Sequence, residues 1–422
     1  MLPRDRPLKY SVVTFGCRVN QADSLVIEGE LMARGGVAVP PDEADVVVVN
    51  TCSVTATADQ GARQTIRRVA RANPSVRVIV TGCYATRAPA DLTCIPNVTH
   101  VVPNSAKEAV PGLIEDGQML STAERSDGGD GPCGSAVAPG VAGRTAFTLR
   151  VQTGCDERCS YCIIPTTRGH SRSKPIDEVI GDVRRALAAG YKEIALTGVH
   201  LGSYGRDLPR PSTLAELLRR LSECPDDVLF RVSSLEPMDC TPDVVSLAAA
   251  SPRIAPHFHL PLQHGADEML RAMRRPYTAS YYSELVHRIA RLMPPASIGS
   301  DLIVGFPGET EAQFEESLAV LRDLPLSHLH VFPYSDRPGT EASARYPKVD
   351  GLTIRERARR VREMGAEMTR RFRSSQAGAV RRALVVDDGW SAVTGSKARM
   401  AAAADSLDPA STAPIPCSAN RG

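Results

Sequence analysis

No stretch of this 422-residue chain approaches the roughly 20 consecutive apolar residues that a membrane-spanning helix needs. No membrane partner is therefore expected. The opening Met1-Leu-Pro-Arg-Asp-Arg-Pro7 lacks the apolar core of a secretory signal. Disulfide pairing is not expected either, because the 11 cysteines are odd in number and no export signal precedes them. Thiols in such a chain point to a reducing, cytoplasmic setting in which they serve metals. No excess of one charge marks the whole, since 50 Lys and Arg face 48 Asp and Glu. With 42% apolar and 23% charged residues, the length suits two or three soluble domains with cores of their own. No strong internal repeat appears beyond an alternation of strands and helices.

Three of the cysteines stand close together. Cys155, Cys159 and Cys162 lie in Gly154-Cys-Asp-Glu-Arg-Cys-Ser-Tyr-Cys-Ile163. Three thiolates on one short loop can hold three irons of a [4Fe-4S] cluster. The fourth iron keeps an open position and can chelate a small molecule. Structural zinc usually takes two close pairs and four ligands, which this spacing does not supply. A zinc knuckle would need a fourth ligand, and His170, the nearest candidate, lies past the loop.

A second set is spread along the chain. Cys17, Cys52 and Cys83 each follow a short β-branched run, Ser11–Phe15, Val46–Val49 and Val76–Val80. Each precedes a stretch of helical character, about 21–34, 56–72 and 86–93. Apolar strands alternating with helices imply a parallel sheet covered on both faces. The carboxyl ends of its strands share one edge, where ligands bind. Three cysteines distant in sequence should therefore converge. One alone would read as a buried structural thiol; three at equivalent junctions do not. Cys94, Cys133, Cys224, Cys240 and Cys417 are left as packing or incidental residues.

The close triad and the residues after it, Ile163-Ile-Pro-Thr-Thr-Arg-Gly169, resemble the radical S-adenosylmethionine (SAM) methylthiotransferase family. The resemblance covers roughly residues 8–375. It implies that SAM occupies the open iron at Cys155, Cys159 and Cys162 and is cleaved to a 5'-deoxyadenosyl radical. It also implies a second [4Fe-4S] cluster on Cys17, Cys52 and Cys83. The reaction implied replaces an aromatic C–H by C–S–CH3. The cofactors carry such chemistry and the protein places them, so no side chain is expected as acid or base. One SAM would methylate a sulfur held at the amino-terminal cluster and another would supply the radical.

The fold expected is α/β: residues 1–111 as a parallel amino-terminal methylthiotransferase domain, 112–143 as a flexible linker, and 144–376 as a radical-SAM (β/α)6 partial barrel. Six apolar strands predict the barrel: Ala146–Val151, Glu193–Leu196, Leu229–Val232, His257–Leu260, Ser297–Val304 and His328–Phe332. Function should sit at their carboxyl ends. Thr197 and Gly198 open a small-residue segment that the resemblance assigns to the SAM amino group. Ser233, Ser234 and Glu236 end the third strand and could bind a ribose diol, although the serines could equally cap a helix. Gly305 and Pro307 match the family's Gly-rich turn. His257 and His259 alternate with apolar residues, which suggests a metal site or, more simply, satisfied strand histidines. His264 stands where relatives usually carry Ser.

Residues 377–422 are expected to be a truncated or diverged TRAM-like RNA-binding segment and tail. Arg381–Gly395 resembles its first two strands, and 401–404 and 411–418 read as disordered tail. Residues 355–382 hold ten Arg and three Glu, a local balance of +7. That run is either a solvated face or a phosphate-tracking surface with Arg370, Arg371, Arg373, Arg381 and Arg382 on RNA. The segments at Arg18–Ser24, Thr51–Ala58 and Thr197–Gly205 look most like the branch acting on threonylcarbamoyladenosine at position 37 of tRNA, beside the anticodon. The isopentenyladenosine branch usually has Gln-Met-Asn after the first cysteine and the ribosomal-protein aspartate branch Pro-Lys-Asn; this chain has Arg18-Val-Asn20. A non-catalytic iron-sulfur electron carrier or RNA-binding module is the alternative from another class. An electron donor such as flavodoxin or ferredoxin is implied, and the sulfur donor is not readable.

Overall fold

Val46 to Val49 are completely buried, and their position explains the amino-terminal architecture. They belong to β3 (Val46–Thr51), the centre of a five-stranded sheet in the order β2-β1-β3-β4-β5. Its other strands are β1 (Lys9–Thr14), β2 (Val37–Ala38), β4 (Arg77–Gly82) and β5 (Val98–Val102). All pairings are parallel. A strand covered on both faces needs apolar side chains on both, hence the unbroken valine run. Val46 and Val48 pack with Ile27 and Leu31 of α1 (Arg18–Ala33). Val47 and Val49 pack with Ala62, Ile66 and Val69 of α2 (Ala56–Ala72). Thr55 caps α2 by accepting from the Ala58 N–H at 3.2 Å. Short helices α3 (Cys83–Arg87), α4 (Ala90–Thr93) and α5 (Val110–Glu115) follow the last two strands and close the unit.

The computed structural model describes residues 6–115, 146–381, 383–386, 391–394, 399–401 and 415–416. Of the expected linker, residues 112–115 belong to α5, and the rest lies outside the described residues.

Six further strands form the barrel unit. The first half is β6 (Phe147–Arg150), β9 (Glu193–Thr197) and β10 (Leu229–Val232). The second half is β11 (His257–His259), β12 (Ser297–Val304) and β13 (His328–Pro333). Pairing is parallel within each half. Parallel bridges Phe230–Ile254 and Ser234–His259 join the halves. A two-residue hairpin, β7 (Gln152–Thr153) with β8 (Arg172–Ser173), carries the cysteine loop and α6 (Ile164–Arg168) between its arms. The outer layer is α7 (Ile176–Ala188), α8 (Leu214–Ser222), α9 (Pro242–Ala250), α10 (Asp267–Ala272), α11 (Ala279–Leu292) and α12 (Glu311–Asp323). A 25-residue α13 (Gly351–Ser375) packs on β13, where Gly365 lets Leu329 approach closely.

The strands alternate strictly. Leu149, Ile194, Leu196, Phe230, Phe258 and Ile298 point outward into the core shared with the helices. The residues between them point into the lumen, and many are charged or polar: Arg150, Glu193, Arg231, His259, Asp301 and His330. A fully closed barrel of this type fills its interior with branched apolar layers. This lumen is built for polar contents.

Beyond α13, β15 (Ala383–Val386), β16 (Ser391–Thr394) and β17 (Arg399–Ala401) form an antiparallel meander. β14 (Val380–Arg381) pairs with β18 (Ile415–Pro416). The expected two-strand hairpin is present. The reading of 401–404 and 411–418 as disordered tail is corrected at two places: Ala401 closes a third strand, Arg399–Ala401, and Ile415–Pro416 pairs with β14. Among the described residues no helix is long and apolar enough to cross a membrane.

Candidate metal centres and the cleft between them

The amino-terminal cysteines sit where the sheet's carboxyl edge meets its helices. Cys17 is the N-cap of α1, Cys52 follows β3, and Cys83 opens α3. Two asparagines tie the first two loops together. Asn20 donates to the carbonyls of Phe15 and Thr51 at 2.9 Å, and Asn50 donates to the Asn20 carbonyl at 2.8 Å. Gly16, at φ +90°, has no room for a side chain: a Cβ there would lie 2.5 Å from Cys52 Sγ. Burial pushes the Cys52 thiol up to about 11, and the nearby Cys17 and Cys83 add to the push. Of these three thiols, Cys52 does not ionise readily on its own. A bound metal ionises them outright, and its binding free energy holds the cluster of like charges together.

The barrel cysteines leave β7 at Gly154, whose φ is +73°. A Cβ there would stand 1.8 Å from the His170 carbonyl oxygen, so the loop closes on a glycine. The Cys155 N–H donates to the Gly169 carbonyl at 3.0 Å, which ties the loop to the residue after α6. Burial pushes Cys162 up to about 12, with Cys159 and Cys155 adding to it. Cations flank the sulfurs. Arg275 Nη1 donates to Cys159 Sγ at 2.9 Å, and Arg275 Nη2 is paired with Glu236. His200 Nδ1 lies 3.9 Å from Cys155 Sγ, while its Nε2 meets Asp239 Oδ2 at 2.7 Å. Burial opposes a charge on His200, but its bonds to Asp239 and Cys155 outweigh that and raise its pKa to about 10. Arg206 takes the other Asp239 oxygen at 2.6 Å. A set of three thiolates carrying an iron-sulfur cluster is anionic, and these donors suit it. His170 is exposed and pairs with Asp156 at 2.6 Å, so it is no part of the thiol set.

The two loops are joined through buried charge. Asp23 of α1 is 1% exposed and receives Lys107 at 2.8 Å and Arg168 at 3.0 Å, with Arg150 on its other oxygen. Burial works against the Asp23 charge, yet the three cations outweigh it and hold its pKa down at about 2. Arg168 also donates to Asn20 Oδ1, the residue that locks the Cys17 loop. The arginine of the Pro-x-x-Arg-Gly run is thus the bolt between the two units. A second bolt joins Arg337, in the loop after β13, to Asp59 of α2 at 2.6 Å. Asp59 also holds Arg87 at 2.8 Å and Ser53, next to Cys52, at 2.9 Å. The Arg337 loop reaches the other side too, where the Ala342 N–H donates to the Ser160 carbonyl in the barrel cysteine loop.

The remaining expected positions fall unevenly. Thr197 is buried at the end of β9, and Gly198 lies against Gln152 Oε1. Ser233 is buried and receives Arg18 at 3.5 Å, whereas Ser234 is exposed. Glu236 is engaged by Arg275 beside Cys159, which places its carboxylate at the cysteine loop. Gly305 follows the end of β12. Its N–H donates to Glu309 at 2.6 Å, and its α-carbon packs on Ile354 of α13. Pro307 is buried in the same turn. His264 is fully buried between Glu309, at 2.9 Å, and the Ala266 N–H, so its departure from Ser rebuilds a core hydrogen bond and no cleft contact. His259 is a hydrogen-bonded strand histidine that also belongs to a set of three possible metal ligands. Asp301 accepts from its Nε2 at 2.8 Å and from His330 Nδ1 at 3.1 Å, with all three donor atoms within 4.8 Å. Asp301 and His330 arrive from two other strands, which the sequence pattern does not reveal.

The Arg-rich helix is less free than its composition suggests. Arg357 binds Glu309 and Glu311, Arg359 binds Glu356 and Glu363, Arg360 binds Glu311 and Glu315, and Arg370 binds Glu367. Arg371 and Arg373 are exposed. Arg381 ends β14, and Arg382 lies outside the described residues.

Two family profiles match the chain: "Uncharacterized protein family UPF0004" over residues 9–103 and "Radical SAM superfamily" over residues 149–321. The threonylcarbamoyladenosine tRNA methylthiotransferase MtaB of Bacillus subtilis is 36% identical over 375 residues, covering 87% of this chain and 82% of that protein. Its namesake from Aquifex aeolicus is 35% identical over 90% of this chain and 93% of that protein. The tRNA-2-methylthio-N(6)-dimethylallyladenosine synthase of Parafrankia sp. is 35% identical over 90% of this chain and 78% of that protein. Among solved structures, the radical S-adenosylmethionine methyltransferase TsrM of Kitasatospora setae superposes with a TM-score of 0.58 at 16% identity, over 80% of this chain and 77% of that one, a likeness of fold. Two cysteine triads, one at the carboxyl edge of a parallel α/β unit and one in a loop of a partial barrel, with relatives matched over most of their length, place the chain in the radical SAM methylthiotransferase family.

Proposed function

We propose that this protein converts N6-threonylcarbamoyladenosine at position 37 of tRNA to its 2-methylthio derivative. The observation that carries this is the pairing of two cysteine triads through the Asp23–Arg168 bolt. Cys17, Cys52 and Cys83 would hold one [4Fe-4S] cluster, and Cys155, Cys159 and Cys162 the other. These clusters and SAM, when bound, supply the radical and methylthio chemistry that side chains cannot. The chain's own residues do the placing. Arg275 sets Cys159 and Glu236 in one charge network beside the radical cluster. His200, held by Asp239, faces Cys155 from the other side. Asn20 and Asn50 fix the amino-terminal loops, and Arg168 fixes the distance between the units. Thr197, Gly198, Ser233 and Glu236 line the strand ends where SAM would lie. The protein would work in the cytoplasm with a one-electron donor such as flavodoxin or ferredoxin.

The branch acting on isopentenyladenosine is the competing reading, because relatives bearing that kind of name match at similar identity. Mass spectrometry of tRNA nucleosides from a deletion strain separates the two. The expected outcome is loss of methylthio-threonylcarbamoyladenosine with its unmodified precursor accumulating. An unchanged level of that nucleoside would remove the assignment. Anaerobically reconstituted protein with dithionite should also release 5'-deoxyadenosine from SAM, which an electron carrier would not do.

A further inference from the structure

The barrel lumen contains more cation than its own anions use. Arg150 is taken by Asp23 and Arg231 by Glu193, at 2.7 Å in the latter case. Arg18 comes next, one residue after Cys17 and pushed from α1 to the mouth of the barrel. It lies beside Arg231 and Glu193, and its guanidinium reaches Ser233 at 3.5 Å. Among the described residues it has no carboxylate within ion-pair distance of its own. The Ser234–His259 bridge sets the end of β10 against β11, so Ser233 adjoins the histidine wall. On that wall two imidazoles, His259 and His330, share a single oxygen of Asp301. His330 is exposed.

A half-buried guanidinium held next to a second guanidinium is costly unless an anion joins it. The substituent on the adenine in the reaction proposed above ends in a carboxylate, whereas the isopentenyl group is neutral and apolar. We propose that Arg18 receives that carboxylate and thereby sets which modified adenosine the enzyme accepts. An apolar substituent would leave Arg18 desolvated and without a counter-charge, which rejects it far more strongly than a missing contact would. The inference rests on the threonylcarbamoyladenosine reading and adds the residue that enforces it.

The test uses anticodon stem-loop RNAs carrying N6-threonylcarbamoyladenosine as the free acid or as its methyl ester, which removes the charge and adds one methyl group. The holoenzyme should prefer the acid in kcat/KM by about ten-fold or more, the scale of one hydrogen bond to a charged group. Arg18→Gln should bring acid and ester to near equality, mainly by raising KM for the acid, and Arg18→Lys should restore most of the preference. All proteins are compared at equal iron content. Arg18→Gln lowering acid and ester alike, or raising KM for SAM, would overturn the assignment of Arg18 while leaving the reaction intact. Wild-type enzyme inactive on both RNAs but active on an isopentenyladenosine stem-loop would instead overturn the substrate reading, and this inference with it.

Discussion

Cys52→Ala is expected to abolish methylthio transfer while release of 5'-deoxyadenosine from SAM continues. Cys52 is buried in the amino-terminal unit between the Cys17 and Cys83 loops, and it takes no part in the barrel cysteine loop. Removing one of three thiolates should empty that site, because the remaining two cannot hold a cluster of four irons firmly. The barrel site keeps Cys155, Cys159 and Cys162 together with Arg275 and His200. The two activities therefore separate. Product analysis by mass spectrometry beside quantified 5'-deoxyadenosine gives the answer. Loss of both activities would mean that the radical site depends on the amino-terminal thiols. Persistence of methylthio product would show that sulfur insertion does not need them.

This separation was legible in the chain because periodicity reports on edges. Valine runs ending at Cys52 and Cys83 and the apolar run before Cys17 announce parallel strands, and parallel strands end on one side of a sheet. The six barrel strands were legible for the same reason. Val37–Ala38 was not, being two exposed residues on an edge. Val98–Val102 was also missed, since Thr99 and His100 are exposed and break its apolar run. The residues that tune the sites were hidden for a different reason. Arg168 and Asp23 are 145 positions apart, and Arg337 and Asp59 are 278 apart. Arg275 and His200 meet the cysteine loop from helix ends or strand ends elsewhere in the barrel. No spacing rule connects such pairs; only the folded topology does. The arginine excess of α13 does not show how many of its arginines are paired, because three of their glutamate partners, Glu309, Glu311 and Glu315, lie at the start of α12 or just before it.

Asp23→Ala should carry the largest stability cost of any single substitution at the interface between the units. It leaves Lys107 and Arg168, 9% and 3% exposed, buried without their anion. Breaking a buried charge network from one side typically costs about 3–5 kcal/mol, because the stranded charges keep their desolvation penalty. The effect should reach the metal sites, since Arg168 also holds Asn20 and Asn20 holds the Cys17 loop. Denaturant unfolding of the protein under anaerobic conditions should show the loss, and the iron content of the purified variant should fall. Asp23→Asn should be milder but still destabilising, as it keeps the shape and one acceptor oxygen but removes the charge and turns the other acceptor into a donor. A variant within about 1 kcal/mol of wild type, the range of an exposed ion pair, would show that the network orients the units without stabilising them. The pH response follows the same logic. The Asp23 pKa is depressed in the folded protein, so its contribution is complete above the unfolded carboxylate value. It is lost as pH falls from about 4 towards 2.

Iron and acid-labile sulfide, counted per chain on anaerobically prepared protein, bear most directly on the six-thiolate assignment. Wild type should yield about eight of each, and Cys52→Ala and Cys159→Ala should each retain about half. A wild-type value near four, or zinc in place of iron, would contradict it.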